Sequence, residues 1–431
     1  MKGRALPLTL RLYRGASSAA SLLAPAWLSY RVRKGKEDPE RLAERRGHAS
    51  AERPDGPLVW VHGASVGEVI SVLPLIERLD ARGFRVLLTS GTLTSSRIAE
   101  RRAPPGVIHQ FMPLDARGFV SRFLDYWEPD LVLLAESELW PNLLAELGRR
   151  GTPIVLVNGR LSERSAKRWS RLPKSARALL SRVDLCLAQS EEDAARFRAL
   201  GTPRVEVSGN LKFDAPPPAA DPAELNHLSR AIGNRPVLLA ASTHEGEEEL
   251  VLEAHGMLAS KIPDLLTIIA PRHPERGDEV ADLAEARGFS VRQRSMDEDP
   301  DPQAGVYVAD TIGEMGLFYR LAQVVFMGGS LVEHGGQNPI EPAKLGSVVL
   351  HGPHVWNFDA IYQQLDADQG AAEVADALGI ARAAYALLKD VQLHGRMADA
   401  AHATVTALGG ALDHTLSAVE PYLIQIRLEA R

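Results

Sequence analysis

From residue 57 onward, short and almost uninterrupted apolar runs alternate with longer helical stretches, and this alternation sets the expected architecture. The first series of runs falls at residues 58–62, 85–89, 107–112, 131–135, 154–157, 185–188 and 205–208. Continuous hydrophobicity belongs to strands covered on both faces, so the pattern predicts a parallel sheet with helices on either side. A second series at 237–241, 265–270, 290–292, 306–308, 324–327 and 348–350 repeats the arrangement. The chain then ends in an alanine-rich stretch, from about 371 to 428, with helical character throughout.

Between the two series stand Ala215 and three consecutive prolines, followed by small residues and Pro222. Proline lacks the N–H that a helix interior or central strand needs, so this segment is expected to link two domains. The expected division is an N-terminal segment 1–36, a first domain 37–214, a linker 215–223, and a second domain 224–431 that includes the closing helices. At 431 residues, each domain has enough chain for its own core. The predicted fold class is α/β, with two doubly wound domains whose strand ends face each other across a cleft.

The N-terminus departs from this pattern. Residues 15–30 carry no charge and include Leu22, Leu23, Trp27, Leu28 and Tyr30, with Arg11 and Arg14 before and Arg31, Arg33, Lys34 and Lys36 after. A spanning helix needs about 20 strongly apolar residues. This stretch is shorter, serine-rich and interrupted by Pro25, so it is expected to lie in or just below an anionic membrane surface, held by its cations. A helix packed on the first domain is the alternative. No cleavage site follows, which argues against a secretory signal.

Charge sharpens the picture. Residues 1–214 hold 34 Lys+Arg against 24 Asp+Glu, a balance of +10, and the remainder holds 15 against 31, a balance of −16. A basic half beside an acidic half points to an anionic partner for the first domain. With aromatics at 6% and no recognition motif, nucleic acid is not expected; a membrane surface or phosphorylated substrate fits better. The single cysteine, Cys186, excludes an internal disulfide and a cysteine-rich metal site. It lies in an apolar run and is expected in the core.

The candidate chemistry sits where the runs end. After 324–327 come Gly328 and Gly329, then Glu333, His334, Gln337 and Asn338, and a helix expected to start near Pro339 with Glu341 in its first turn. Glycines let backbone approach a ligand, and open N–H groups at a helix start attract phosphate. Residues 63–68, GASVGE, follow the first strand but lack both the full G-x-G-x-x-G pattern and a P-loop lysine. Glu68 there suits a general base, with a first-turn acid that complements the helix dipole as the plain alternative. Glu136 and Glu138 end another strand and must be hydrogen-bonded or functional. Arg160 and Arg164, with Lys167 and Arg168, are candidates for an acceptor phosphate, against a solvated basic surface. Residues 90–96 offer hydroxyls explained in part by helix capping. In the second domain, Ser242 and Glu245 form a possible capping box. Arg272 and His273 are candidates for an anionic donor, and residues 310–314 end one more strand.

Taken together, GASVGE (63–68), ESELWPN (136–142), NGRLSERS (158–165), GNLKFD (209–214), APRHPER (270–276), DTIGEMG (310–316) and GGQNPIEP (335–342) resemble the 3-deoxy-D-manno-octulosonic acid (Kdo) transferases, the lipid A Kdo transferase family. The motifs occur in order over nearly the whole chain. The resemblance implies a GT-B fold of two Rossmann-like domains, with CMP-Kdo bound by the C-terminal one. It implies that a lipid A precursor (lipid IVA) binds the N-terminal domain at the cytoplasmic face of the inner membrane. It maps the catalytic base onto Glu68, places Glu136 or Glu138 among acceptor-side acids, and assigns Arg272, His273, Asn338 and Glu341 to CMP-Kdo, with Lys212 near the donor phosphate. The leaving group is then a monophosphate ester, so neither a metal nor another cofactor is expected.

Three rivals follow from the same residues. A nucleotide-sugar 2-epimerase shares the architecture but needs neither an anchor nor a basic acceptor lobe. A UDP-sugar transferase differs in donor. A non-catalytic two-lobed binding protein predicts that Glu68→Ala leaves physiological activity intact.

Overall fold

In the computed structural model, which describes residues 6–429, seven parallel strands build the sheet of the first unit. They are β1 (Leu58–Gly63), β2 (Arg85–Ser90), β3 (Ile108–Phe111), β4 (Leu131–Ala135), β5 (Ile154–Gly159), β6 (Leu185–Ala188) and β7 (Val205–Val207), in spatial order β3-β2-β1-β4-β5-β6-β7. The chain winds outward from β1 to β3, then returns to the opposite side of β1 as β4. The switch point therefore lies between β1 and β4. Alternate residues of β1 enter two different cores: Leu58 and Trp60 join Phe123 and Trp127, while Val59 and Val61 join Val69 and Val72. All are fully buried, which is why the run is apolar without alternation.

The second unit repeats the design with β8 (Val237–Thr243), β9 (Leu266–Pro271), β10 (Val291–Gln293), β11 (Val306–Val308), β12 (Val324–Met327), β13 (Val348–His351) and β14 (Ala371–Glu373). Their order is β10-β11-β9-β8-β12-β13-β14, all parallel, with the switch between β8 and β12. Strand β14 differs from expectation, because the sequence assigns 371 onward to helix. Its alanines carry no strand propensity, and pairing to β13 (Val349 with Ala371) decides the conformation.

One unit takes the chain up to Ala215 together with everything from Leu408, and the other spans Pro216–Ala407. The last helix, Ala411–Glu429, thus belongs to the first unit and does not close the second domain as the sequence suggested. Leu416, Val419, Leu423 and Ile426 form a stripe at alternating spacings of three and four, which buries one helix face against Val59, Val61 and their neighbours. Periodicity reveals such a face but not its partner. The proline segment leads into the helix Pro222–Ile232, which is capped by Asp221, and Arg320 fastens the Pro218 carbonyl at 2.7 Å.

Two N-terminal helices, Leu8–Ala20 and Ala24–Arg33, dock on the first unit. Leu10, Ala24 and Leu28 are buried, Asn142 donates to the Ser17 hydroxyl at 2.9 Å, and the Tyr13 hydroxyl donates to Asp115 at 3.0 Å. Their outer faces expose Leu8, Leu12, Trp27 and Tyr30, and the short turn Ser21–Leu23 between them exposes Leu22 and Leu23. Among the described residues, no helix is long and apolar enough to cross a membrane. Arg45, almost fully buried, ties the following segment to the sheet by bonding Glu37 and the carbonyls of Met112 and Gly91.

Candidate active site

At the switch point of the first sheet, Ser65 caps the helix Val66–Ala81 and Glu68 occupies its first turn. The Glu68 carboxylate does not point into solvent. It accepts from the Ala64 N–H at 2.9 Å and from the Ser65 hydroxyl at 2.7 Å, and the residue is buried. The plain reading, an acid that serves the helix dipole, is therefore partly true. Yet burial raises the Glu68 pKa above the ordinary glutamate value. The Ser65 and Ala64 hydrogen bonds oppose the rise, and repulsion from Glu136 and Glu138 adds to it. Those two acids leave the end of β4, the strand across the switch. Glu136 takes a left-handed backbone (φ 55°) and pairs with the Lys212 ammonium at 3.4 Å. Such a conformation costs a non-glycine residue energy and marks a tightly determined position. Glu138 accepts from the Trp140 indole and stands 3.7 Å from His62 Nε2.

His62 was not singled out from the sequence. It is the penultimate residue of β1, fully buried, with Nδ1 held by Thr89 and Nε2 without a hydrogen-bond partner among the described residues. A histidine that closes an otherwise apolar strand just before a glycine turn was the available signal. The 90–96 loop supports this site from behind: Gly91 N–H bonds the Ala64 carbonyl at 3.0 Å, and Thr92 caps its own helix with Ser95.

The second sheet gathers its polar groups at the β8/β12 switch. A Cβ on Gly328 would lie 2.4 Å from the Ser242 carbonyl oxygen, and Gly329 takes φ +67°, so both positions require glycine. Glu247 holds the two loops together. Fully buried, it accepts from the N–H groups of Gly329 (2.6 Å), Leu331 (2.9 Å), Ser330 (3.0 Å) and His244 (3.0 Å). This residue, also missed from the sequence, replaces the expected capping box. Ser242 has φ 56° at the strand end, and the helix Glu247–Ala259 starts after Gly246. Around it, the His244 and His334 rings stack at 4.1 Å and His273 meets His244 edge-on at 6.1 Å. Burial pushes His244 down to about 4, and the neighbouring imidazoles and Arg272 add to the shift, so its ring is neutral at neutral pH. Arg272 and His273 follow β9, beside β8, with exposed side chains; Arg272 has no side-chain partner among the described residues. Asn338 caps the turn by accepting from Ile340 N–H at 3.1 Å, and Glu341 lies in the short helix Ile340–Lys344.

Other candidates are occupied or stand apart. Asp310 is consumed by Gln293 and Ser295, and Glu314 by Arg294 and Thr311. Arg160 and Arg164 are exposed beyond β5, with no bond to the Glu68 group among the described residues. Cys186 is core, its thiol pushed up to about 12 by burial. Among the described residues, no cluster of three or more His, Cys, Asp or Glu is placed to hold a metal. Asp-x-Asp triplets do occur at 297–301 and 366–368, and four of their carboxylates bond neighbours: Asp299 to His227, Asp301 to Arg292, Asp366 to His351 and Asp368 to Thr404.

Two Rossmann-like parallel sheets, each with polar loops gathered at its switch point, define the GT-B fold class. A solved glycosyltransferase from Rickettsia africae shares the fold, at TM-score 0.58 and 13% identity over 86% of this chain and 99% of that one. Residues 40–215 match the family model described as 3-Deoxy-D-manno-octulosonic-acid transferase (kdotransferase). The 3-deoxy-D-manno-octulosonic acid transferase of Haemophilus influenzae is 37% identical over 402 residues, 89% of this chain and 92% of that one. That of Bordetella pertussis is 36% identical over 409 residues, 92% and 95% of the two. The chain belongs to the Kdo transferase family, whose members transfer Kdo in lipopolysaccharide biosynthesis.

Proposed function

We propose that this protein moves Kdo from CMP-Kdo to the 6′-hydroxyl of a lipid A precursor, with inversion, at the cytoplasmic face of the inner membrane. The observation that carries this reading is the raised, hydrogen-bonded Glu68 carboxyl, set among Glu136, Glu138, Lys212 and His62 at a strand switch. Glu68 takes the hydroxyl proton as that oxygen bonds to the Kdo anomeric carbon. The bond from that carbon to the phosphate oxygen breaks, and CMP leaves with the electron pair. Arg272, the Gly328–Gly329 turn and Lys212 are suited to the phosphate charge. Arg160 and Arg164 remain candidates for an acceptor phosphate. Incubating purified protein with CMP-Kdo and lipid IVA and weighing the products should give a mass increase of one or more Kdo residues. Transfer from a UDP-sugar instead, or none, would reject the donor assignment.

The exposed apolar face of the N-terminal helices suits a membrane surface, with Arg33, Lys34 and Lys36 exposed beside it. Deleting the segment would also remove Leu10 and Leu28 from the core, so point changes are the cleaner test. Leu22 and Leu23 are 81% and 70% exposed. Changing both to aspartate should weaken flotation with phosphatidylglycerol vesicles at least about tenfold, since each lost leucine forfeits roughly 1–3 kcal/mol of burial. Undiminished flotation would place the membrane contact elsewhere.

A further inference from the structure

An apolar groove of about 420 Å³ runs between the N-terminal helices and residues 114–119, where a loop enters the helix Arg117–Trp127. Its walls include Ala20, Leu23, Trp27, Leu114, Phe119 and Trp140. The polar side chains along it are all turned to partners within the protein. Tyr13 donates to Asp115, which in turn accepts from the Asn142 and Leu143 N–H groups. Ser17 accepts from Asn142 and donates to the Arg14 carbonyl, while Ser21 donates to the Ser18 carbonyl. What remains open to a ligand is hydrocarbon, in a volume ordinary for a small-molecule site. One wall, Trp140, joins the groove to the chemistry: its indole donates to Glu138, which faces His62 and adds to the charge around Glu68.

From this continuity we infer that the groove holds one acyl chain of the acceptor lipid itself, and so seats the sugar of an amphiphile over the Glu68 group. The inference rests on the proposed lipid acceptor. Exposed Arg33, Lys34 and Lys36 on the same N-terminal segment favour an anionic headgroup over a neutral one. Trp140 then has two roles, as a wall for the chain and as the hydrogen-bond donor that orients Glu138.

Ala20 is exposed on the groove wall, so a large side chain there fills the space without disturbing a core. Ala20→Trp should raise KM for lipid IVA in mixed micelles at least about tenfold, because each excluded methylene is worth about fourfold in affinity. Its kinetics with the chain-free bisphosphorylated disaccharide should match the wild type, as should its CMP-Kdo affinity, and Ala20→Ser should behave as wild type throughout. An unchanged KM for lipid IVA, or equal losses on both acceptors, overturns the inference. A wild-type protein that glycosylates neither acceptor instead rejects the lipid acceptor reading. If the tryptophan variant fails to fold, lipid IVA carrying a diazirine at an acyl terminus decides the matter in the wild type. Labelling within residues 13–27 or 114–119, or at Trp140, supports the groove, and labelling only elsewhere overturns it.

Discussion

Glu68→Gln should lower kcat for Kdo transfer by about 10²- to 10⁴-fold, the usual contribution of a positioned general base. Its affinity for CMP-Kdo should stay at the wild-type level, because the residues assigned to the donor, Lys212 apart, lie in the other unit, and Lys212 pairs with Glu136 and not with Glu68. The amide keeps the shape and can still meet the Ala64 N–H and the Ser65 hydroxyl, so loss of rate cannot be put down to a broken helix cap. Burial lifts the Glu68 carboxyl above the ordinary glutamate value, and Glu136 and Glu138 push it the same way. The acidic limb of kcat/KM against pH should accordingly lie above the ordinary glutamate range, and Glu136→Gln should move it to lower pH. The linkage has a definite sign. A carboxyl whose pKa is higher folded than unfolded binds more protons when folded, so stability is present below the unfolded value and declines as pH rises through the folded one. At neutral pH the ionised side chain is a cost, and Glu68→Gln should melt at the wild-type temperature or higher. Turnover close to wild type, or an acidic limb at the usual glutamate position, would remove Glu68 from the role of base.

The two sheets were legible because buried parallel strands leave an uninterrupted apolar signature, and the loops that follow them were found for the same reason. The parts that escaped depend on contacts remote in sequence. Glu247 is one acid among Glu245, Glu248 and Glu249, and nothing local distinguishes it. Its partners at 329–331 lie more than 80 positions away. Ser242 looked like a cap because its residue type and spacing are right, but tertiary pairing carried the strand through it. His62 was hidden near the end of an apolar strand, although its Nε2 is where the site meets Glu138. The alanine-rich end read as helix, yet the first unit that covers it lies some 200 residues earlier, as the bond from Leu412 N–H to Asp214 illustrates. The N-terminal segment was framed as a choice between membrane contact and packing. Its helices bury one face on the protein and leave the other bare.

Glu247→Ala should have the largest effect on stability, and it should fall on the second unit. The carboxylate sits at the positive end of its own helix and receives four backbone N–H groups from two separate loops. Hydrogen bonds to a charged acceptor contribute about 1.5–3 kcal/mol each, and a buried donor left unpaired costs about 1–3 kcal/mol. These terms are not additive. Even so, a net loss of about 3–5 kcal/mol is a large part of the stability of a domain. With the tie gone, the Gly328–Gly329 turn no longer has its position relative to His244 fixed, so CMP-Kdo affinity should fall at least about a hundredfold. Glu247→Gln offers a graded comparison. Its oxygen keeps part of the set, but its NH₂ faces a donor, so an intermediate loss is expected. Hydrogen exchange separates this from general damage: amides of β8, β12 and 329–331 should lose protection in Glu247→Ala while those of β1 and β4 keep theirs. Wild-type CMP-Kdo binding by Glu247→Ala, with 329–331 still protected, would show that the loops hold their form without it and that the donor site is organised by other contacts.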